Sequence, residues 1–145
     1  MKKQLCSLLS ATNSNSKMTD VAFVLLRVFI GLTMALTHGL AKMPPPQMLI
    51  DGVAGLGFPM PVVFAWAAAL AEFAGGLLVA CGLLTRPAAA FISFTMLVAV
   101  FGAHGADTFD KKEMALLYFF TMAFFALAGA GRWSLDHVIS RRCQK

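Results

Sequence analysis

Arg27, His38, Glu72 and His104 are ionisable residues embedded in long apolar stretches of this 145-residue chain. A charged side chain near the centre of a bilayer costs about 2.5–3.5 kcal/mol on insertion scales, so residues of this kind are read for pairing, proton exchange or ligand binding. Counting from Asp20, Arg27 lies about 10 Å from one membrane face, and Glu72, on a helix returning from Pro61, lies about 14 Å from the same face. Opposite charges at similar depth can satisfy each other, which predicts an Arg27–Glu72 ion pair. Gly75 and Gly76 beside Glu72 would let a neighbouring helix approach closely. A structural clamp and a ligand or proton site are both open readings of that pair.

Arg27, Gly31, His38 and Lys42 fall along one stripe of a helix with 3.6 residues per turn. The stripe leads to the outer end of the helix, where His104 and Glu113 are also expected. A second polar cluster of His38, Lys42, His104 and Glu113 is therefore predicted there, with groups able to relay protons. Lys42 is expected to snorkel toward water. Paired histidines can hold haem or a metal ion, but interfacial hydrogen bonding is the preferred reading; no metal site and no haem signature are read. Cys6, Cys81 and Cys143 are too widely spaced for a CxxC pair.

These residues need a scaffold that lipid can solvate. The chain is 59% apolar and 13% charged, with mean hydropathy +0.75, whereas soluble domains average about 45–50% apolar and about 25% charged. Apolar runs at 21–41, 62–84, 88–103 and 114–130 predict an all-α, membrane-spanning four-helix bundle. Thr19 and Asp20 can cap the first helix, Pro44–Pro46 end it, Pro59 and Pro61 precede the second, and Thr85 and Pro87 start the third. A short interfacial helix is expected between the first two spans, and the second and third form a hairpin around Arg86. Ser134 can cap a final helix that also contains Asp136.

The net charge of +5 follows membrane topology better than nucleic-acid binding. Eight Lys and Arg residues fall on the face of the termini and three on the other, leaving out Arg27, which places both termini in the cytoplasm. The expected organisation is a flexible polar tail at 1–19, a helical domain at 20–138 and a basic tail at 139–145.

The segments LLRVFIGLTMALTHGLAK (Leu25–Lys42), AEFAGGLLVACGLLTRPAA (Ala71–Ala89) and GAGRWSLD (Gly129–Asp136), with Glu113 opening the last span, make the sequence similar to the DoxX family. The resemblance runs from about residue 20 to 138. It implies a small multi-pass protein of the bacterial inner membrane, associated with oxidoreductase systems. Arg27, His38, Lys42, Glu72, Arg86 and Glu113 coincide with polar positions of the family pattern. The resulting expectation is a redox-associated accessory subunit that binds a quinone or another hydrophobic ligand near the buried pair, rather than a self-sufficient enzyme. The alternatives are a noncatalytic scaffold, docking a partner enzyme through Arg141, Arg142 and residues 134–139, and a small transporter. Expected partners are the lipid bilayer, a redox enzyme or other membrane subunit, and further copies of the chain.

Overall fold

A computed structural model describes residues 17–143, and all regular structure among them is helical. Helix α1 (Lys17–Thr33) runs directly into a π-helical segment, Met34–Gly39, and a 3-10 turn, Leu40–Lys42. The others are α2 (Gln47–Gly55), α3 (Pro61–Cys81), α4 (Thr85–Val98, continued by a π segment at Ala99–Ala103), α5 (Phe109–Ala128) and α6 (Leu135–Cys143). Because α1 begins at Lys17, Thr19 and Asp20 lie inside its first turn, and Asp20 is buried near Arg132. The rest of the expected N-terminal tail lies outside the described residues. At the other end, residues 139–143 continue α6.

Among the described residues, three stretches are long and apolar enough to cross a membrane: Lys17–Lys42, Pro61–Cys81 and Thr85–Ala103. Helix α5 differs in its first turns, where Asp110, Lys111, Lys112 and Glu113 precede an apolar remainder. The short α2 occupies the place expected for an interfacial helix.

The long helices adjoin in the order α1–α3–α4–α5, with α5 touching α1 only lightly. Met34, Val79, Ile92, Met96, Met122 and Phe125 form the centre of the core. Large apolar side chains such as Phe29, Phe91, Phe101, Phe120 and Leu127 point outward, as lipid solvation requires.

Glycines set the register between α1 and α3. A Cβ on Gly31 would lie 2.7 Å from the Ala80 nitrogen, and one on Gly76 would lie 2.8 Å from the Gly31 oxygen and the Ala35 nitrogen. Gly39 meets the backbone of Phe73 and Glu72. These backbones cross with no room for side chains between them, a common way for helices to associate in membranes. Gly75 faces α4 instead, and a Cβ there would meet the Ile92 side chain at 3.3 Å.

The α3–α4 hairpin turns through Gly82 (φ 71°) and Leu84 (φ 48°), both in the left-handed region. Leu84 is an unusual residue for that conformation. Its backbone N–H donates to Asp136 Oδ1 at 2.7 Å, and the Thr85 N–H donates to Asp136 Oδ2 at 3.0 Å. The cap of α4 is thus delivered from α6, while Thr85 begins the helix with its own hydroxyl buried and unpaired. Ser134 caps α6 as expected, its Oγ accepting from the His137 N–H at 3.2 Å.

Candidate functional site

Arg27 and Glu72 do not form an ion pair; each has its partners elsewhere. The crossing register explains why. Gly39, twelve residues beyond Arg27, is the residue facing Glu72, while Arg27 reaches the end of α3 and packs against Gly82. The two charges are therefore separated by roughly 15 Å along the helices. Depth counted from helix ends places them together, but helix ends are not level: residues 17–26 of α1 extend beyond the end of α3, so Arg27 stands beside Gly82 at the position the glycines permit.

Arg27 is 3% exposed. Its Nη1 donates to the Ala130 carbonyl oxygen at 2.6 Å and its Nη2 to the Trp133 carbonyl oxygen at 3.1 Å. Nε is buried without a partner. The guanidinium thus ties α1 to the α5–α6 link. The Asp136 N–H donates to the Gly82 oxygen at 2.8 Å, which joins the same link to the α3–α4 turn. Arg27, Ser134 and Asp136 together make a structural brace. Arg86, expected to be structural, is exposed on the first turn of α4 beside Gly129.

In the middle of α3, Glu72 has a different partner. Both its carboxylate oxygens accept from Lys42 Nζ at 2.6 Å. The Glu72 side chain is 3% exposed and that of Lys42 is 32% exposed. The pair therefore runs from the protein interior to an accessible surface, and Lys42 turns inward rather than snorkelling away. The close approach at Gly39 makes this possible, since it brings the end of α1 onto the α3 turn that carries Glu72.

His38 joins this pair. Its ring stacks edge-on against Tyr118 of α5, with centroids 5.0 Å apart, and it lies within electrostatic range of Glu72 and Lys42. The π segment accounts for the departure from the expected stripe. An extra residue per turn gives Gly39 the contact with α3 and leaves His38 facing α5. Tyr118, the single tyrosine of the chain, is buried. Sequence reasoning missed it, although one phenol in a Phe-rich helix was a usable signal.

His104 and Glu113, expected in the same outer cluster, are not part of it. His104 Nδ1 lies 2.8 Å from Asp107 Oδ2, and Lys111 Nζ lies 3.6 Å from Asp107 Oδ1. Glu113 is exposed. The helical chain unwinds after Ala103, so His104 closes a local turn through its i+3 neighbour instead of reaching α1. The hydrogen bond from His104, followed by the charge of Lys111, holds the Asp107 carboxyl below the usual carboxylate range. The spacing of His104 and Asp107 was visible in the sequence but was not used.

The candidate site is consequently Lys42, Glu72, His38 and Tyr118. It combines a cationic donor, an anionic acceptor, an imidazole and a phenol, with Gly31, Gly39 and Gly76 fixing the helices that hold them. Such groups can bind a polar head and exchange protons with it.

Comparisons with known proteins agree with a membrane protein. The model of the DoxX family matches residues 22–105. An uncharacterized Haemophilus influenzae protein is 32% identical over 133 residues, covering 86% of this chain and 96% of the relative. A Mycobacterium tuberculosis protein described as an uncharacterized membrane protein is 29% identical, covering 82% of both chains. The Escherichia coli inner membrane protein YphA is 34% identical over 105 residues, or 63% of this chain and 75% of the relative. No solved structure matches the chain.

Proposed function

Since the chain belongs to the DoxX family and is an integral membrane protein, we propose that it is an accessory subunit of a redox system in the bacterial inner membrane, holding the head group of a hydrophobic ligand such as a quinone against Lys42 and Glu72. The observation that carries this reading is the half-open ion pair. Glu72 is kept buried by a lysine whose own side chain remains one-third accessible. A quinone oxygen would accept a hydrogen bond from Lys42, a quinol hydroxyl would donate one to Glu72, and His38 would hold a proton beside them. The apolar tail would lie along lipid-facing aromatic side chains. The binding role sits at Lys42–Glu72, and Arg27 keeps a structural one.

In this proposal α1, α3, α4 and α5 all cross the membrane, with both termini in the cytoplasm. The charged first turns of α5 would then sit at the outer interface, and the lysine and arginine asymmetry supports that orientation. A purely structural scaffold is the competing reading, favoured by the way Arg27 and Asp136 present α6 at the end of the bundle.

Extraction of purified protein and quantification of bound quinone separates the two. Retention by the wild type, with loss in Glu72→Gln and Lys42→Met but not in Arg27→Met, supports the ligand site. Absence of quinone from the wild type together with failure to bind added quinone would remove it.

A further inference from the structure

Helix α6 carries an arrangement that the ligand site does not use. At 100° per residue, Val138, Arg142, Leu135 and Ile139 fall within one arc of about 100°, and Arg141 borders it. Leu135, Val138 and Ile139 are each close to half exposed, and Trp133, just before the helix, is 54% exposed. The start of the helix is committed to the protein. Asp136 caps α4, Ser134 is buried, and Arg27 holds the Trp133 carbonyl. The first turn of α6 is thus fixed from behind, and its apolar, arginine-bearing arc faces away from the rest of the molecule.

The geometry points to an occupant for this face: the head-group region of an anionic phospholipid leaflet. Two features favour lipid over a protein partner. The link into α6 passes Phe23 at Gly131, and Phe23 packs on Phe124 of α5, which is exposed together with Leu127, so α6 starts from a surface that lipid must already cover. Arg142 lies within the apolar arc and Arg141 beside it, both in the last turn, where long stems can snorkel so that the aliphatic side chains enter the acyl boundary while the guanidiniums stay at phosphate level. Basic residues beside a membrane are drawn to anionic lipid by about five-fold each, and salt screens the attraction.

The test uses the full chain with Trp66→Phe, which leaves Trp133 as the reporting tryptophan. This protein is reconstituted in phosphatidylcholine vesicles containing equal fractions of either brominated phosphatidylglycerol or brominated phosphatidylcholine. Stronger quenching of Trp133 by the brominated anionic lipid is expected, weakening as NaCl is raised and falling several-fold in Arg141→Gln/Arg142→Gln. Equal quenching by both lipids at low salt would overturn the anionic preference. No quenching by either would place the face in water or against a protein. The salt series needs no arginine variant, so poor folding of the double substitution does not leave the question open.

Discussion

Removing one partner of the Lys42–Glu72 pair should harm the protein unequally, and the direction follows from exposure. Glu72→Gln leaves an ammonium on a side chain that is 32% accessible, so it can turn to solvent; Lys42→Met leaves a carboxylate that is 3% accessible with both oxygens deprived of their donor. Breaking a fully buried pair costs about 3–5 kcal/mol. Lys42→Met should approach the lower end of that range, about 3 kcal/mol, and Glu72→Gln should cost about 1 kcal/mol. For a chain of this length about 3 kcal/mol corresponds to a fall of about 6–12 °C in Tm. The double variant Lys42→Met/Glu72→Gln has no stranded charge and should be more stable than Lys42→Met alone, giving a coupling of about 2 kcal/mol. Thermal unfolding of the detergent-solubilised proteins, followed by tryptophan fluorescence, measures all four corners of the cycle. Equal losses in the single variants, or a double variant whose loss is their sum, would refute the reasoning.

Arg27→Met should cost about 2–6 kcal/mol, because the Ala130 and Trp133 carbonyls each lose a charged donor. It should speed proteolysis between α5 and α6, and unchanged resistance would contradict the brace. The loss should also add to that of Glu72→Gln, since the two residues are not neighbours. Gly39→Ala forces a Cβ against the Phe73 backbone and to 2.8 Å from the Glu72 carbonyl carbon; a loss of about 1–3 kcal/mol or more is expected, and a wild-type Tm would show that the helices can separate freely. Asp107 offers a pH test. Its folded-state pKa is depressed from 3.8, chiefly by the His104 hydrogen bond, so its stabilisation is present above that value and is lost as pH falls through the lower folded one. Asp107→Asn should therefore show a smaller drop in Tm than the wild type on acidification below about pH 4, and parallel acid limbs would argue against the interaction.

Much of the fold was legible in the residue order. Long apolar runs, prolines at their boundaries and the glycines of 31, 75 and 76 are local signals, and each states what a segment needs regardless of its neighbours. The short α2 after the first span, the α3–α4 hairpin and the Ser134 cap followed from such signals. The partners of the buried charges did not. Choosing between Arg27 and Lys42 as the donor to Glu72 depends on how far α1 slides along α3, which is decided by backbone contact at Gly31, Gly39 and Gly76 and by the π segment that rotates His38 toward Tyr118. A helix count carries an uncertain origin and assumes uniform pitch, so an offset of a few residues moves a charge by a full turn. The sequence by itself determined that several charges had to be sheltered from lipid, because an isolated ion there is too costly. Only the tertiary structure decided which groups would shelter them, because a hydrogen bond is made or lost within about 1 Å of helix position.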